Sequence, residues 1–328
     1  MSIAAYIKQI GRGKDGARPI PTDQAHDLLS QVLDGTVSDL EIGAFCLAMR
    51  IKGETVDELD GFVQATLARC LPLAVTAQSL PRVGEQAARG VVVLPSYNGA
   101  RKLPNLTALL ALALARQGVA VLVHGPALDP TRVTTAQVFT ALGRAPARDA
   151  AQLHAAWQAG QPAFMDITDL CAPLGRLLDV RWTIGLRNPG HTVAKLLDPV
   201  LPGGLPSVRV VNHTHPEYAH SLTGYLQHVK ADALLMRGTE GEPVADPRRQ
   251  PRFDMFLNGE RHEALSRVRL DGVLASLPEL PAAHDADTTA RYIEAVLTGS
   301  FPMPGPIIEQ VDCLTQALAL ARVGATPA

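Results

Sequence analysis

The feature that constrains the fold most is the regular alternation of short apolar runs and helical stretches from Gly90 onward. Four runs, "VVVL", "VAVLV", "SVRVV" and "ALLM", show almost no alternation of apolar and polar residues. A strand with one face in water would alternate, whereas a strand covered on both faces does not. Helices are predicted between and after these runs at residues 105–116, 134–142 and 216–229. The pattern predicts an α/β fold in which helices cover both faces of a central sheet.

The first 75 residues have a different, wholly helical pattern. In "TDQAHDLLSQVLDG" the apolar residues recur at positions i, i+3, i+4, i+7 and i+8, which defines one apolar stripe on a helix. Two capping boxes, Ser38 with Glu41 and Thr55 with Glu58, predict where the next two helices begin. Residues 152–184 are also expected to be mostly helical.

These patterns predict two domains. An N-terminal helical domain contains residues 1–75, joined by helices from about 168–188, and an α/β domain contains residues 80–328. Late in the chain, "RFDMFLNGERHEALSRVRL" predicts a hairpin with Asn258 and Gly259 in its turn, followed by two helices.

Composition excludes several classes of function. The chain has 328 residues, 47% of them apolar, and a formal net charge of −2, so anion binding requires a local basic patch. Its four cysteines are far apart and form no CxxC pair, which is typical of reduced thiols in a cytosolic protein. No apolar run reaches the roughly 20 residues that a bilayer span needs. We therefore expect a soluble cytoplasmic protein without a membrane partner.

The stretch "LPSYNGARKLPNLT" joins the first apolar run to the next helix, which is where α/β proteins commonly bind phosphate. Such loops depend on glycine, because the backbone must approach the anion closely. Here Gly99 is the only glycine, and Arg101 and Lys102 precede the helix. The loop is predicted to contact phosphate through these two cations, the alternative being a solvated turn.

Part of the helical domain is familiar as a motif. The stretch "AFCLAMRIKGETVDELDGF", residues 44–62, closely resembles the N-terminal helical signature of the anthranilate phosphoribosyltransferases and pyrimidine nucleoside phosphorylases. The resemblance extends over essentially the whole chain. It implies the nucleoside phosphorylase/phosphoribosyltransferase fold, with a small helical domain on a larger α/β domain and dimerisation through the helical part.

The family's chemical motifs are largely absent from this sequence. The diphosphate loop of the family, GTGGDGxxTxNIST, corresponds to "LPSYNGARKLPNLT", which keeps Asn98 in the place of an aspartate, Gly99 and, after a one-residue insertion, Asn105. The motif KHGNRxxSSxxGSAD corresponds to "VHGPALDPTRVTTAQ", in which His124 remains but the asparagine that binds the aromatic acid is Pro126.

Two further motifs of the family follow the same trend. VRxxLGxRTxxNLLGPLxNP corresponds to "VRWTIGLRNPGHTVAKLLDP", which keeps Arg187 and has Lys195 where the family has a proline. HGxDGLDE, whose final acidic pair holds magnesium, corresponds to "RGTEGEPV", so that pair is Pro243 and Val244. Magnesium requires hard oxygen ligands, which proline and valine side chains do not have. The resemblance therefore implies a retained fold with a dismantled transferase site.

This combination is similar to the YbiB-type branch of the family, which is regarded as nucleic-acid binding. The leading hypothesis is a homodimer that is not an active anthranilate phosphoribosyltransferase and binds the phosphate backbone of DNA or RNA in the former active-site cleft with little sequence specificity. The alternative is a phosphoribosyl or glycosyl transferase with an altered acceptor, with magnesium held by Glu240 or Glu242. The leading hypothesis assigns no catalytic residue, metal or cofactor.

The residues predicted to bind phosphate combine the loop cations with positions that the resemblance places at the cleft. For Arg132 and Arg187, binding and a structural ion pair are equally open, and His124 is at least as readily a structural histidine. The predicted set is Arg101, Lys102, Asn105, His124, Arg132, Arg187, His191, Lys195 and Arg237.

The sequence contains two other clusters of basic or metal-ligating residues. A late group of arginines could extend the positive rim of a groove or be plain surface: Arg248, Arg249, Arg252, Arg261, Arg267 and Arg269. His213, His215 and His220 lie within eight residues but lack the spacing of a metal site.

Apolar side chains of the helical domain are predicted to form the dimer interface. They offer more apolar surface than one small helical layer can bury alone. The residues concerned are Ile42, Phe45, Met49, Leu59 and Phe62.

Overall fold

The computed structural model describes residues 2–83 and 86–321. The chain forms two compact units. The helical unit comprises Met1–Leu71 and Ile167–Leu197, and the α/β unit comprises Pro72–Asp166 and Asp198–Ala328. The predicted fold class, a small N-terminal helical domain and a larger α/β domain, is confirmed.

All strands of the described residues belong to the α/β unit. In chain order the elements are α1 (Ala4–Ile10), α2 (Gly13–Gly16), α3 (Thr22–Leu33), α4 (Asp39–Lys52), α5 (Val56–Leu67), β1 (Arg82–Val83), β2 (Gln86–Ala87), β3 (Val91–Pro95), α6 (Thr107–Arg116), β4 (Ala120–Gly125), α7 (Thr135–Ala141), α8 (Ala150–Gln158), β5 (Ala163–Asp166), α9 (Ile167–Leu170), α10 (Ala172–Ile184), α11 (Pro189–Leu196), β6 (Ser207–His213), α12 (Glu217–His228), β7 (Ala233–Arg237), β8 (Phe253–Leu257), β9 (Glu260–Arg261), α13 (Ala286–Leu297) and α14 (Gly305–Leu320).

The helical unit is built from α1–α5 and α9–α11. Both predicted capping boxes are present, since the side chains of Ser38 and Thr55 accept from the amides of Glu41 and Glu58 at the starts of α4 and α5. The apolar stripe of α3 is buried and packs against α5. Periodicity and caps therefore determine this unit as the sequence predicted.

The α/β unit contains a seven-stranded mixed sheet in the order β5-β4-β3-β6-β7-β8-β9. The first five strands in this order are parallel, and β8 and β9 are antiparallel. From β3 the chain continues to the neighbouring strand β4 on one side, and from β6 it continues to β7 on the other side. The loops that follow β3 and β6 therefore diverge at this point of the sheet. In open α/β sheets ligands bind at such a point, outside the carboxyl ends of the strands.

The core of the α/β unit is formed by strands and by one helix that is apolar on every side. Strand β3 is buried along its whole length, and so are the first nine residues of α6, from Thr107 to Ala115. A helix that is apolar all round must be covered by other elements, and α6 contacts β4, α7, α13 and α14. This packing holds the loop between β3 and α6 at both ends.

Two details differ from the sequence-based expectations. Residues 152–184 are mostly helical, as predicted, but Ala163–Asp166 form the edge strand β5, which was not predicted. The predicted hairpin is present with Asn258 and Gly259 in left-handed backbone conformation, as its turn requires, but its second strand has only two residues. A four-residue strand with three apolar residues, lying between two helices, has no period that distinguishes it from helix.

The residues predicted to form the dimer interface are mostly interior. Phe45, Met49, Leu59 and Phe62 are between 0% and 2% exposed within the helical unit itself. The exposed apolar side chains of α4 are instead Leu40, Leu47 and Ile51, on the opposite side of the helix. Helix α4 therefore has more apolar side chains than its buried face accommodates, but the exposed ones are not the residues that were predicted. Within the described part of the chain, no helix is long and apolar enough to cross a membrane.

Candidate functional site

The loop between β3 and α6 lies at the carboxyl end of the sheet, beside the loop that follows β7. The register of β3 and β4 pairs Pro95 with His124, and the next loop residue, Ser96, lies against Gly125. A Cβ atom at Gly125 would lie 1.8 Å from the carbonyl oxygen of Ser96, so only glycine fits there. The first residue of the loop is thus held closely against strand β4.

The side chain of Glu242 occupies the centre of this loop. Its Oε1 accepts hydrogen bonds from the backbone amides of Asn98 and Gly99, both at 2.8 Å. Its Oε2 accepts from the hydroxyls of Ser96, Thr107 (3.3 Å) and Thr135 (3.1 Å). Glu242 is 1% exposed, so a buried carboxylate of the chain takes the donors that a phosphate would require.

A second carboxylate, that of Glu240, occupies the next part of the loop. Its Oε1 accepts from three consecutive backbone amides, those of Arg101 (3.3 Å), Lys102 (2.8 Å) and Leu103 (3.0 Å). Such a run of convergent amides forms a nest, a common binding site for anions. We call these three amides the 101–103 nest. Internal glutamates therefore satisfy both groups of donors.

This arrangement does not fit a magnesium ion. The acidic pair of the family is replaced by Pro243 and Val244, which offer no side-chain oxygen. The two nearby carboxylates, Glu240 and Glu242, already accept hydrogen bonds through both of their oxygens. Among the residues that the structure describes, no group of three or more His, Cys, Asp or Glu side chains could hold a metal ion.

Next to the 101–103 nest, the α/β unit contains a basic cavity of about 740 Å³. It lies between the carboxyl ends of β6 and β7, the first turns of α12 and the loops that flank β8. Its floor is apolar and includes Leu103, Leu235 and Met236. Six cationic side chains line it, against the three carboxylates of Glu240, Asp246 and Asp254: Lys102, Arg237, Arg248, Arg249, Arg252 and Arg269. We call this feature the basic cavity.

Ion pairs neutralise some of these cations but not all. Arg248 forms a bidentate contact with Asp246, with both distances 3.0 Å, and Arg252 lies 2.8 Å from Asp254. Lys102 and Arg237 are exposed, and within residues 2–83 and 86–321 their side chains have no ion-pair partner. These two side chains are therefore available to an anionic ligand.

The other predicted residues of the α/β unit have internal contacts. His124 is 0% exposed and hydrogen-bonds with the hydroxyl of Tyr97 at 2.7 Å. Asn105 is buried and bonds the backbone of Val133 and Thr107. Arg132 donates to the carbonyl of Gly99 (3.2 Å) and lies 3.8 Å from Glu240. These residues shape the loop rather than present a charge to solvent.

Arg101, the last predicted residue of the α/β unit, contributes its amide to the 101–103 nest, and its side chain is exposed. Of the late arginines, Arg248, Arg249, Arg252 and Arg269 line the basic cavity. Arg261 and Arg267 do not line it, and they contact Asp254 and Glu309 respectively.

Arg187, His191 and Lys195 belong to the helical unit, at the start of and within α11. His191 is buried, and its Nδ1 lies 3.3 Å from the carbonyl oxygen of Asn188. Burial, reinforced by the charges of Arg187 and Arg181, lowers the pKa of His191 to about 3. At neutral pH this histidine is uncharged, so it cannot act as a cation toward phosphate.

Glu240 and Glu242 were predicted only as possible magnesium ligands, and their role in the loop was not predicted. A signal was present, because "RGTEGE" supplies two carboxylates beside a loop whose glycines are replaced. The sequence does not show that these two parts of the chain meet, because Asn98 and Glu242 are 144 residues apart.

Known proteins share this fold. A model of the glycosyl transferase family helical bundle domain matches residues 4–70. The crystal structure of anthranilate phosphoribosyltransferase from Thermus thermophilus superposes with a TM-score of 0.67 at 21% identity, over 98% of this chain and 90% of that chain. An anthranilate phosphoribosyltransferase sequence of Nitratidesulfovibrio vulgaris is 26% identical over 281 residues, 84% of this chain and 79% of the relative. The fold is therefore that of the anthranilate phosphoribosyltransferases.

A nearer relative occurs in Escherichia coli K12 under the name "Uncharacterized protein YbiB". It is 39% identical over 313 residues, which cover 95% of this chain and 93% of the relative. The chain belongs to the YbiB family of anthranilate phosphoribosyltransferase-like proteins. The predicted membership of this branch is confirmed.

Proposed function

We propose that this chain is a non-catalytic nucleic-acid-binding protein that holds phosphate groups of the backbone at the basic cavity. The observation that carries the proposal is the presence of Lys102 and Arg237 as exposed cations, without ion-pair partners in the described part of the chain, in a cavity with a surplus of arginine. Backbone phosphates are the ligands that such a surface attracts, largely independently of base sequence.

The closed loop supports a binding function over transfer. A phosphoribosyl donor needs amide donors for its diphosphate and a carboxylate for its magnesium ion. In this chain Glu242 takes the amides of Asn98 and Gly99. Since the buried Glu242 fills the loop, the alternative transferase has no open diphosphate site there, and Pro243 and Val244 supply no ligand for the metal.

The charge distribution supports the same conclusion. The whole chain carries a formal charge of −2, so it has no general attraction for polyanions. The cavity concentrates six cations at the carboxyl ends of the strands, where α/β proteins bind ligands. The first two turns of α12 form one wall of the cavity, and among the described residues no Phe, Tyr or Trp side chain lines it for base stacking, so little sequence preference is expected.

Dimerisation is proposed through the exposed face of α4, with Leu40, Leu47 and Ile51 as its apolar residues. Three apolar side chains along one face of a helix form a stripe that a second copy can cover. Two cavities on one dimer would bind one long strand more tightly than either alone, because the second contact becomes intramolecular.

The test is a titration of a fluorescent single-stranded oligonucleotide at several salt concentrations. A Lys102→Ala/Arg237→Ala double variant should bind more weakly, and its log–log salt slope should be smaller by about 1.4, since two phosphate contacts on a single strand are lost. The matched control is Arg148→Ala/Arg291→Ala, which removes two exposed arginines of the same unit outside the cavity. Equal slopes for the two double variants would overturn the proposal.

A further inference from the structure

Glu240 differs from the deeply buried Glu242 in its position. Its side chain is 14% exposed and lines the basic cavity, where a solute can reach it. The three amides of the 101–103 nest converge on one oxygen of its carboxylate, and Arg132 lies 3.8 Å from the other. The nest therefore already binds an anion at the wall of the cavity, and that anion belongs to the chain.

The backbone that carries Glu240 is fixed. Glu240 has a φ of +54°, in the left-handed region that a side chain rarely adopts, and Gly241 follows with a φ of +89°. The carbonyl of Glu240 accepts from Asn98 Nδ2 at 2.7 Å, and the amide of Glu242 bonds the carbonyl of Thr239. A change at this site is therefore confined to the Glu240 side chain, which can rotate toward the cavity.

The nest lies in the segment where the alignment to the family loop requires a one-residue insertion. The donors that correspond to the family loop, around Ser96 to Gly99, are held by Glu242. The nest is thus a separate anion site, formed by residues 101–103, with the exposed cation Lys102 beside it.

We propose that Glu240 is an internal competitor for the 101–103 nest, and that a phosphate group of the bound nucleic acid replaces its carboxylate there. The proposal rests on the proposed function for its ligand. A phosphate offers the nest an oxygen with at least the charge of the carboxylate, and its remaining oxygens face Lys102 and Arg132. Glu240 therefore weakens binding and restricts it to ligands that supply an anion at this point.

The test ranks the oligonucleotide affinities of wild type and two Glu240 variants. If Glu240 had a structural role or bound the ligand itself, its replacement would lower the affinity. As an internal competitor, its replacement should raise the affinity. Glu240→Gln keeps an oxygen in the nest but removes its charge, and Glu240→Gly empties the nest while suiting the left-handed backbone. Oligonucleotide affinity should rise from wild type to E240Q to E240G, by about tenfold or more in all. The control is Glu263→Gln, which makes the same charge change at a side chain that is 79% exposed and outside the cavity.

A second probe, inorganic pyrophosphate, separates this proposal from the proposed function. E240G should show saturable stabilisation by pyrophosphate in thermal unfolding, at concentrations where wild type and E263Q show none. If wild type binds no oligonucleotide but E240G gains the pyrophosphate site, the proposed function fails and the competitor survives. If E240Q and E240G bind oligonucleotide no more tightly than E263Q, and E240G gains no response to pyrophosphate, the competitor is refuted, because an empty nest would then have no affinity for phosphate.

Discussion

The buried carboxylate of Glu242 should be the strongest single determinant of the loop between β3 and α6. Its two oxygens accept five hydrogen bonds, from two backbone amides and three hydroxyls. Replacement by alanine removes all five acceptors at once and leaves the donors in a site that is almost closed to water. We therefore expect Glu242→Ala to destabilise the α/β unit strongly.

The size of the loss in unfolding free energy depends on which of the five donors can find new partners. The hydroxyls of Ser96 and Thr135 lie 2.8 Å apart and can bond each other, so their loss is small. The amides of Asn98 and Gly99 cannot turn, and each buried donor left without a partner costs about 1–3 kcal/mol. Glu242→Ala should thus lower the free energy of unfolding by about 2–6 kcal/mol. Glu242→Gln keeps one oxygen for the amides and should cost about 1–3 kcal/mol.

The chain provides a selective fluorescence probe for this measurement. Of its two tryptophans, Trp157 is 0% exposed in the α/β unit and donates to the carbonyl of Val121, whereas Trp182 lies in the helical unit. In a Trp182→Phe background, urea unfolding followed by fluorescence reports the α/β unit alone. Glu263→Ala is the control, because its exposed carboxylate should contribute less than about 1 kcal/mol.

The result that would refute this reasoning is a loss in Glu242→Ala no larger than that of the control. The amides of Asn98 and Gly99 would then be satisfied by water or by another arrangement of the loop. An external phosphate could in that case reach the loop, and the argument against the transferase would lose its main support.

Three further predictions concern other parts of the chain. The pKa of His191 is about 3 in the folded chain and about 6.5 in the unfolded chain, so the unfolded state binds the proton first as pH falls. The free energy of unfolding should therefore fall by up to about 1.4 kcal/mol per pH unit between about pH 6.5 and pH 3. His191→Leu should lose this slope in denaturation curves, and an unchanged slope would assign it to other groups. Leu47→Glu places a charge in the proposed dimer face and should give a monomer by light scattering, whereas a monomeric wild type at micromolar concentration would contradict the dimer. The chain should not transfer a phosphoribosyl group to anthranilate; turnover on the order of 1 per second or more would show that the loop opens.

Much of the fold could be predicted from the sequence because each element carries its own local signal. The capping boxes at Ser38 and Thr55, the apolar strands and the Asn258–Gly259 turn all depend on residues within a few positions of one another. The strand β5 was missed because three apolar residues and an aspartate between two helices have no period of their own. The burial of Phe45 and Met49 could not be predicted either, because both faces of α4 are apolar and only the packed structure decides which is covered.

The site was less predictable because it depends on contacts between distant parts of the chain. Lys102 and Arg237 were identified as cations near the cleft, and the structure places both at one cavity. His124 was also predicted to bind phosphate, but Tyr97 covers it. The position of His124 at the end of a strand gives no indication of this contact. Whether a glycine-poor loop is open or closed depends on Glu242, which sequence spacing alone does not bring near it.

The division of the helical unit into two chain segments has a consequence for how the protein is made. The chain leaves this unit after Leu71 and returns to it at Ile167. At roughly 5–20 residues per second, a ribosome needs on the order of 5–20 s to synthesise the intervening residues. During that time α1–α5 exist without α10 and α11, which later pack against α3, α4 and α5. The N-terminal helices therefore emerge first but complete their fold late, and their uncovered apolar surface is exposed to chaperones and proteases while the first strands of the sheet are being made.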